Sequence, residues 1–151
     1  MKKTWLQSPI GWLEVIEQNG RLWSVDVVDS PGGEPDSSSL LEEATKQLQE
    51  WFARERTDFD LPLAERGTPF QRRVWGELRK VRWGETVAYG ELAARLGDSK
   101  LARAVGAAMA ANPWLLVVPC HRVKPKSGGV GNYRAGAERK RWLLAHEAKE
   151  M

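Results

Sequence analysis

The chain has 151 residues, 42% hydrophobic and 28% charged, a balance that excludes a disordered or fibrous chain and fits a globular one. One cysteine and two histidines exclude an internal disulfide and leave too few ligands for a structural zinc site, so no metal is expected. No apolar run is long enough to span a membrane, and the segment from Trp5 to Ile16 lacks the apolar core of a secretion signal. A lone thiol fits a reducing compartment, and cytoplasmic location is the expectation.

Charge is unevenly placed. Residues 1–66 carry 7 Lys+Arg and 13 Asp+Glu, a net of −6, whereas residues 67–151 carry 16 and 7, a net of +9. A basic C-terminal part suits a polyanionic partner, although a solvated basic surface gives the same count.

In chain order, Thr4 to Ile16 and Arg21 to Val28 are rich in Val, Ile, Leu and Trp, and Asn19-Gly20 between them is a hairpin turn signal. Residues 29–39 are loop by composition. A helix is predicted from Leu40, with Leu41, Thr45, Leu48 and Phe52 on one face and Trp51 beside them. Residues 54–66 are polar and read as a linker. Thr68, Pro69 and Gln71 then make a helix start with a capping box, and Phe70, Val74, Leu78 and Val81 line a face.

A short helix from about Ala88 to Leu96 stops at Gly97, and a second, capped by Asp98 or Ser99, runs to Ala111 before Asn112-Pro113. The pair reads as a helix-turn-helix, though ordinary helical hairpins look alike in sequence. The second helix is rich in Ala and Gly, which suits close helix packing or close approach to a nucleic-acid groove. Trp114 to Val118 is predicted as a buried strand, residues 124–136 as a Gly-rich loop, and Ala137 to Ala148 as the last helix.

Pro119-Cys120-His121-Arg122 follows the predicted strand directly. A nucleophile gains from such a rigid edge. His121 is placed to take the thiol proton, directly or through a water, Arg122 and the basic half favour the thiolate, and Glu147 is the candidate to orient the histidine. A buried structural cysteine is the plain alternative. Spacing alone does not separate a thiol hydrolase from an alkyl acceptor.

PCHRV at 119–123 resembles the active-site motif of the O6-alkylguanine-DNA alkyltransferases. TPFQRRVW at 68–75, GETVAYGELA at 84–93, ARAVGAAMAANP at 102–113, GVGNY at 129–133 and WLLAHE at 142–147 stand in that family's order and spacing. The likeness covers roughly residues 67–148, while residues 1–60 fit the family's N-terminal subdomain in outline. It implies an α+β fold. A small β-sheet and helix subdomain (1–60, ribonuclease H-like) would pack on a helical subdomain (67–151) carrying the helix-turn-helix and the active-site cysteine.

The resemblance further implies single-use DNA repair: an alkyl group passes from O6 of guanine, with O4-alkylthymine a further candidate, to Cys120 in one irreversible step. His121 is the base through a water, Glu147 completes the relay, and Asn112 is the hinge asparagine. Tyr89 and Arg103 assist base flipping, and Ala102 and Gly106 belong to the helix that enters the minor groove. Val123, Gly131 and Tyr133 line the guanine pocket together with Arg134. Arg134-Ala135 departs from the smaller residues many members carry there, which implies either a narrower pocket or an added phosphate contact. Ala88 replaces a common capping Ser. Arg72, Arg73, Lys124 and Lys126 are further phosphate candidates. The implied partner is double-stranded DNA with an alkylated guanine, bound by a monomer without a cofactor or a membrane. A non-catalytic lesion binder would lack Cys120, and a helix-turn-helix regulator would need neither His121 nor Glu147.

Overall fold

The computed structural model describes residues 1–149. It divides into two units, one of Met1–Glu65 with Pro113–Val117, the other of Arg66–Asn112 with residues 118–149.

The first unit is built on an antiparallel sheet of order β1-β2-β3, from β1 (Lys2–Ser8), β2 (Gly11–Gln18) and β3 (Arg21–Val28). The single apolar run expected from Thr4 to Ile16 is therefore two strands. Pro9 has no N–H to continue a ladder, and Ser8 Oγ donates to the Gly11 carbonyl across the turn. Between β2 and β3, Asn19 and Gly20 take φ of 53° and 74°, the paired positive values of a two-residue hairpin turn. Leu13 and Val15 of β2 and Leu22 and Val25 of β3 are fully buried.

Helix α1 (Ser39–Phe52) begins where the Ser38 side chain accepts the Leu41 N–H, and it packs on β1 and β2. Its buried face is Leu41, Ala44, Leu48 and Trp51. Thr45, expected there, instead donates its hydroxyl to the Leu41 carbonyl, and Phe52 is half-buried edge-on to Trp51. Residues 54–65 are no linker. Leu61 is buried, Leu63 bridges Leu22, and the Asp60 N–H donates to the buried Gln47 side chain. Trp114 bridges Val25, and its Nε1 donates to the Leu22 carbonyl at 2.9 Å.

The strand expected at Trp114–Val118 is absent. After the single bridge at Trp114 the chain turns, with Leu116 at a φ of 71° and the Val117 N–H donating to the Leu115 carbonyl. The run is apolar because its side chains are buried, not because it pairs in a sheet.

In the second unit, α2 (Pro69–Leu78) opens on the predicted reciprocal cap between Thr68 and Gln71. Val74, Trp75 and Leu78 are its buried face, followed by Val81, and Phe70 is half-buried. The strand pair β4 (Val87–Ala88) and β5 (Val123–Lys124) is parallel. Helix α3 (Tyr89–Arg95) has no side-chain cap at Ala88, as expected, but the Glu91 carboxylate reaches back to the Ala88 N–H.

Gly97 turns the chain at a φ of 113°, and a 3-10 turn at Ser99–Leu101, capped by Asp98, leads into α4 (Ala102–Ala110). Against α2 and α3, α4 buries Val105, Ala108 and Met109; Trp75 Nε1 donates to the Ala108 carbonyl at 2.8 Å. The small residues thus serve two faces, since Ala104, Ala107 and Ala110 remain exposed. Helix α5 (Ala137–Ala148) follows Gly136 and buries Lys140, Leu143, His146 and Glu147. None of the described helices is long and apolar enough to cross a membrane.

Candidate active site

Cys120 does not cap a strand. It begins a 3-10 turn, Cys120–Arg122, and its N–H donates to the Val118 carbonyl at 2.8 Å. Asn112, buried just beyond α4, holds this turn from the other side. Its Nδ2 donates to the Val118 carbonyl at 3.0 Å and to Cys120 Sγ at 3.4 Å. Burial pushes the Cys120 thiol up from its ordinary range. The Asn112 hydrogen bond and the charges of Arg134 and Lys140 oppose this without overcoming it. The resting group is a thiol, and the expected thiolate has to be made by a base.

A candidate base is adjacent. His121 is fully buried, and its Nε2 lies 2.9 Å from Glu147 Oε2. Burial lowers its proton affinity, against the pull of Glu147, so the ring is neutral near pH 7. Glu147 faces the opposite conflict. Burial works against its charge, but the hydrogen bonds and charges of His121 and Arg122 prevail and hold it below the usual carboxylate range. An ionised carboxylate only accepts, so Nε2 carries the imidazole proton and Nδ1 carries the lone pair.

Arg122 corrects a sequence expectation. It does not act as a cation beside the thiol. Its Nε and Nη2 fork onto Glu147 at 3.0 and 2.6 Å, and its Nη1 donates to the Val81 carbonyl at 2.6 Å.

Cys120 lines a cavity of about 590 Å³, within the range of small-molecule sites. Its other walls include Tyr89, Gly106, Gly131, Tyr133 and Arg134, five of the residues singled out from sequence. Tyr89, at the start of α3, donates its hydroxyl to the Asn132 carbonyl at 3.4 Å. The Tyr133 ring lies edge-on to His121, with centroids 6.4 Å apart. Gly131 adopts a φ of 73°, and a Cβ there would lie 2.8 Å from the Pro125 ring, so only glycine fits.

Val123 is buried, Ala102 is half-buried at the start of α4, and Arg103 is exposed on that helix. Of the proposed phosphate contacts, Arg72 and Arg73 each donate to a backbone carbonyl, of Arg66 and Leu96 respectively, and Lys126 is exposed.

One residue escaped the sequence reading. Lys140 of α5 is fully buried, and its ammonium donates to the Val123 carbonyl at 2.6 Å and the Asn132 carbonyl at 3.1 Å. Its Nζ also lies 5.9 Å from the centre of the Tyr89 ring. Burial lowers its pKa to about 8. The available signal was helical spacing, which puts Lys140 on the face of Leu143 and Glu147.

Sequence comparison matches residues 69–149 to the DNA binding domain of 6-O-methylguanine DNA methyltransferase and residues 1–64 to its ribonuclease-like domain. A methylated-DNA–protein-cysteine methyltransferase of Mycolicibacterium paratuberculosis is 42% identical over an alignment that covers 95% of this chain and 90% of that one. The constitutive enzyme of the same name from Bacillus subtilis is 37% identical, over 93% and 92% of the two chains. The solved structure of Mycobacterium tuberculosis OGT in complex with DNA superposes with a TM-score of 0.89 at 39% identity, covering 98% of this chain and 93% of that one. With profiles matching nearly its whole length and a buried Cys-His-Glu arrangement opening on a ligand-sized cavity, the chain belongs to the 6-O-methylguanine DNA methyltransferase family.

Proposed function

We propose that this protein repairs DNA by transferring the alkyl group of O6-alkylguanine to Sγ of Cys120, once per molecule. The observation that carries this reading is a single buried thiol at a ligand-sized cavity, next to a histidine whose far nitrogen is held by an ionised carboxylate. His121 Nδ1 takes the thiol proton, directly or through a water. Sγ then attacks the alkyl carbon, the S–C bond forms, and the C–O6 bond breaks with its electron pair going to O6. The guanine regains a proton, so none is lost overall. Nothing in the site regenerates a thiol from the thioether, and turnover stops.

The lesion must leave the base stack to reach a buried sulfur. Arg103, exposed on α4, fills the gap it leaves, and Tyr89 guides it into the cavity. The exposed alanines of α4 allow close approach to the minor groove, where large side chains would collide. Asn112 holds Sγ in place. One monomer acts on one lesion, in the reducing cytoplasm that keeps its thiol available.

The test is intact mass after incubation with a duplex containing O6-methylguanine. A gain of one methyl in place of hydrogen, mapped to Cys120 and absent in Cys120→Ala, is expected. No gain, or a gain that survives Cys120→Ala, refutes the reading. For flipping, Arg103→Ala is expected to slow repair of duplex DNA far more than reaction with a free alkylated guanine base; equal losses refute that role.

A further inference from the structure

Burying a lysine without a counter-ion costs stability, and among the described residues no carboxylate pairs with the fully buried Lys140. Its ammonium donates instead to two backbone carbonyls, of Val123 at 2.6 Å and Asn132 at 3.1 Å. Val123 opens β5 directly after the turn that carries Cys120, and Asn132 lies in the Gly131–Tyr133 wall of the cavity. A third wall meets the same point. The Tyr89 hydroxyl donates to the Asn132 carbonyl at 3.4 Å, and the ammonium lies 5.9 Å from the centre of the Tyr89 ring, within reach of a cation–π attraction. Loop and tyrosine are already close, since a Cβ on Gly131 would stand 3.5 Å from the Tyr89 hydroxyl. One side chain of α5 therefore ties together the strand after Cys120, the loop and the tyrosine of α3.

The loop needs such a tie. From Ser127 to Gly136 it belongs to no helix or strand, and its four glycines, at 128, 129, 131 and 136, all adopt positive φ. A methionine at 140 would fill a similar volume without a buried charge but would leave both carbonyls without this donor. We propose that Lys140 is a positioning residue for alkyl transfer, fixing the width of the cavity between Tyr89 and the Gly131–Tyr133 loop so that an entering base is held with its alkyl carbon in line with Sγ. The inference rests on the alkyl-transfer reading. Lys140 is not among the residues that line the cavity, and it acts through the two carbonyls it holds.

The test separates the fit of the base from the reactivity of the thiol. Iodoacetamide needs only Sγ, which displaces iodide as the S–C bond forms and the thiol proton passes to buffer. O6-methylguanine in a duplex needs the walls as well. With protein in excess over duplex, the limiting rate of Lys140→Met should fall by about tenfold to a hundredfold, the cost of a misplaced reacting geometry, while the half-saturating protein concentration stays within about twofold because α4 is untouched. Alkylation by iodoacetamide should slow by about threefold at most, the part owed to the ammonium's charge, which favours the thiolate.

Equal losses with both reagents would mean that Lys140 acts on the thiol through its charge, and a rise in half-saturation alone would mean that it acts on DNA binding. Either overturns the inference, as does an unchanged duplex rate. Native protein offers the same separation without a substitution. Burial lowers the Lys140 pKa to about 8, opposed by the charge of Cys120 and assisted by that of Lys124, while burial raises the pKa of the neighbouring Tyr89. Above a pH of about 8 the limiting duplex rate should fall while alkylation by iodoacetamide keeps rising as the thiol ionises; both rising together overturns the inference. Native protein that leaves the duplex unreacted sinks the repair reading and this inference with it, whereas native protein that reacts beside an equally fast Lys140→Met sinks the role of Lys140 alone.

Discussion

Replacing Glu147 with Gln removes one charge and changes almost no volume, so its cost reads the relay directly. The carboxylate accepts from Arg122 Nε at 3.0 and 3.1 Å, Arg122 Nη2 at 2.6 Å and His121 Nε2 at 2.9 Å. A carboxamide offers one oxygen. If that oxygen takes the place of Oε2, the amide N–H groups face the Arg122 Nε–H; the flipped rotamer turns them on Nη2 and the imidazole. Either way two donors oppose each other, and the buried Arg122 charge has no counter-ion on this carboxylate.

Breaking a buried pair from one side costs about 3–5 kcal/mol. At about 2–4 °C per kcal/mol for a chain this long, thermal unfolding should drop by about 6–20 °C. Single-turnover repair of O6-methylguanine duplex should slow by about tenfold to a hundredfold, part of what a positioned base contributes. Arg122→Met with Glu147→Leu, which removes both charges, should recover most of the stability and none of the rate. A melting loss under about 2 °C for Glu147→Gln would show that this buried network contributes little. A repair rate equal to the native one would show that Glu147 does not act through His121.

Gly131→Ala should all but abolish repair while leaving overall stability within about 2 kcal/mol, because its Cβ would strike Pro125 in the cavity wall at a φ only glycine readily takes; equal repair rates would contradict this cavity geometry. Lys140→Met should change stability by about 1 kcal/mol or less, since it removes both a buried charge and its bonds, yet amide exchange around Asn132 should quicken and repair should slow. The native rate should fall above a pH of about 8 as the Lys140 ammonium loses its proton, and that limb should vanish in Lys140→Met. As pH rises from about 8 to 10.5 the stability cost of burying the Lys140 ammonium is relieved, because the unfolded chain still holds the proton the folded chain has shed. In acid, burial keeps the His121 ring neutral below its ordinary 6.5, so repair should persist past that point and be lost only at lower pH. Stability should decline over the same descent, since the unfolded histidine protonates first. A pH–rate profile paired with denaturation midpoints checks both limbs.

Most of the candidate site was legible because its residues sit in contiguous motifs. Cys120 and His121 are neighbours, and the cap at Thr68, the turn at Asn19-Gly20 and the last helix follow local rules that tertiary structure did not override. What was hidden depends on contacts between distant residues. Arg122 looked like a free cation because its partner stands 25 residues on, and a charge in sequence carries no sign of whether it is already paired. Lys140 looked like one solvated lysine among many, since its two acceptors are backbone carbonyls that no side-chain pattern reports. Trp114–Val118 imitated a strand because burial on every side gives the same apolar run as pairing in a sheet. Pro9 was passed over inside a longer apolar run, although a missing N–H is a stronger signal than composition.

The same burial that complicates this chemistry also explains how a single-use thiol survives until it meets its lesion. In water, the basic character of this half of the chain would favour a thiolate open to any electrophile. Desolvation reverses that preference, and the stored state is a neutral thiol beside a neutral imidazole. The one charge the relay cannot do without, on Glu147, is kept ionised by Arg122, whose fork cancels it inside the protein. Arg122 and Glu147 thus form a neutral pair that holds an oriented acceptor behind His121 without placing net charge near Sγ. Reactivity is then set by what enters the cavity. In the proposed reaction a base that fills it excludes water, brings the alkyl carbon to Sγ and lets the thiol proton move to His121 as the S–C bond forms. On this account the arginine of PCHRV is as necessary as its cysteine, because without it a buried glutamate would take up a proton and the histidine would lose the acceptor that fixes its tautomer.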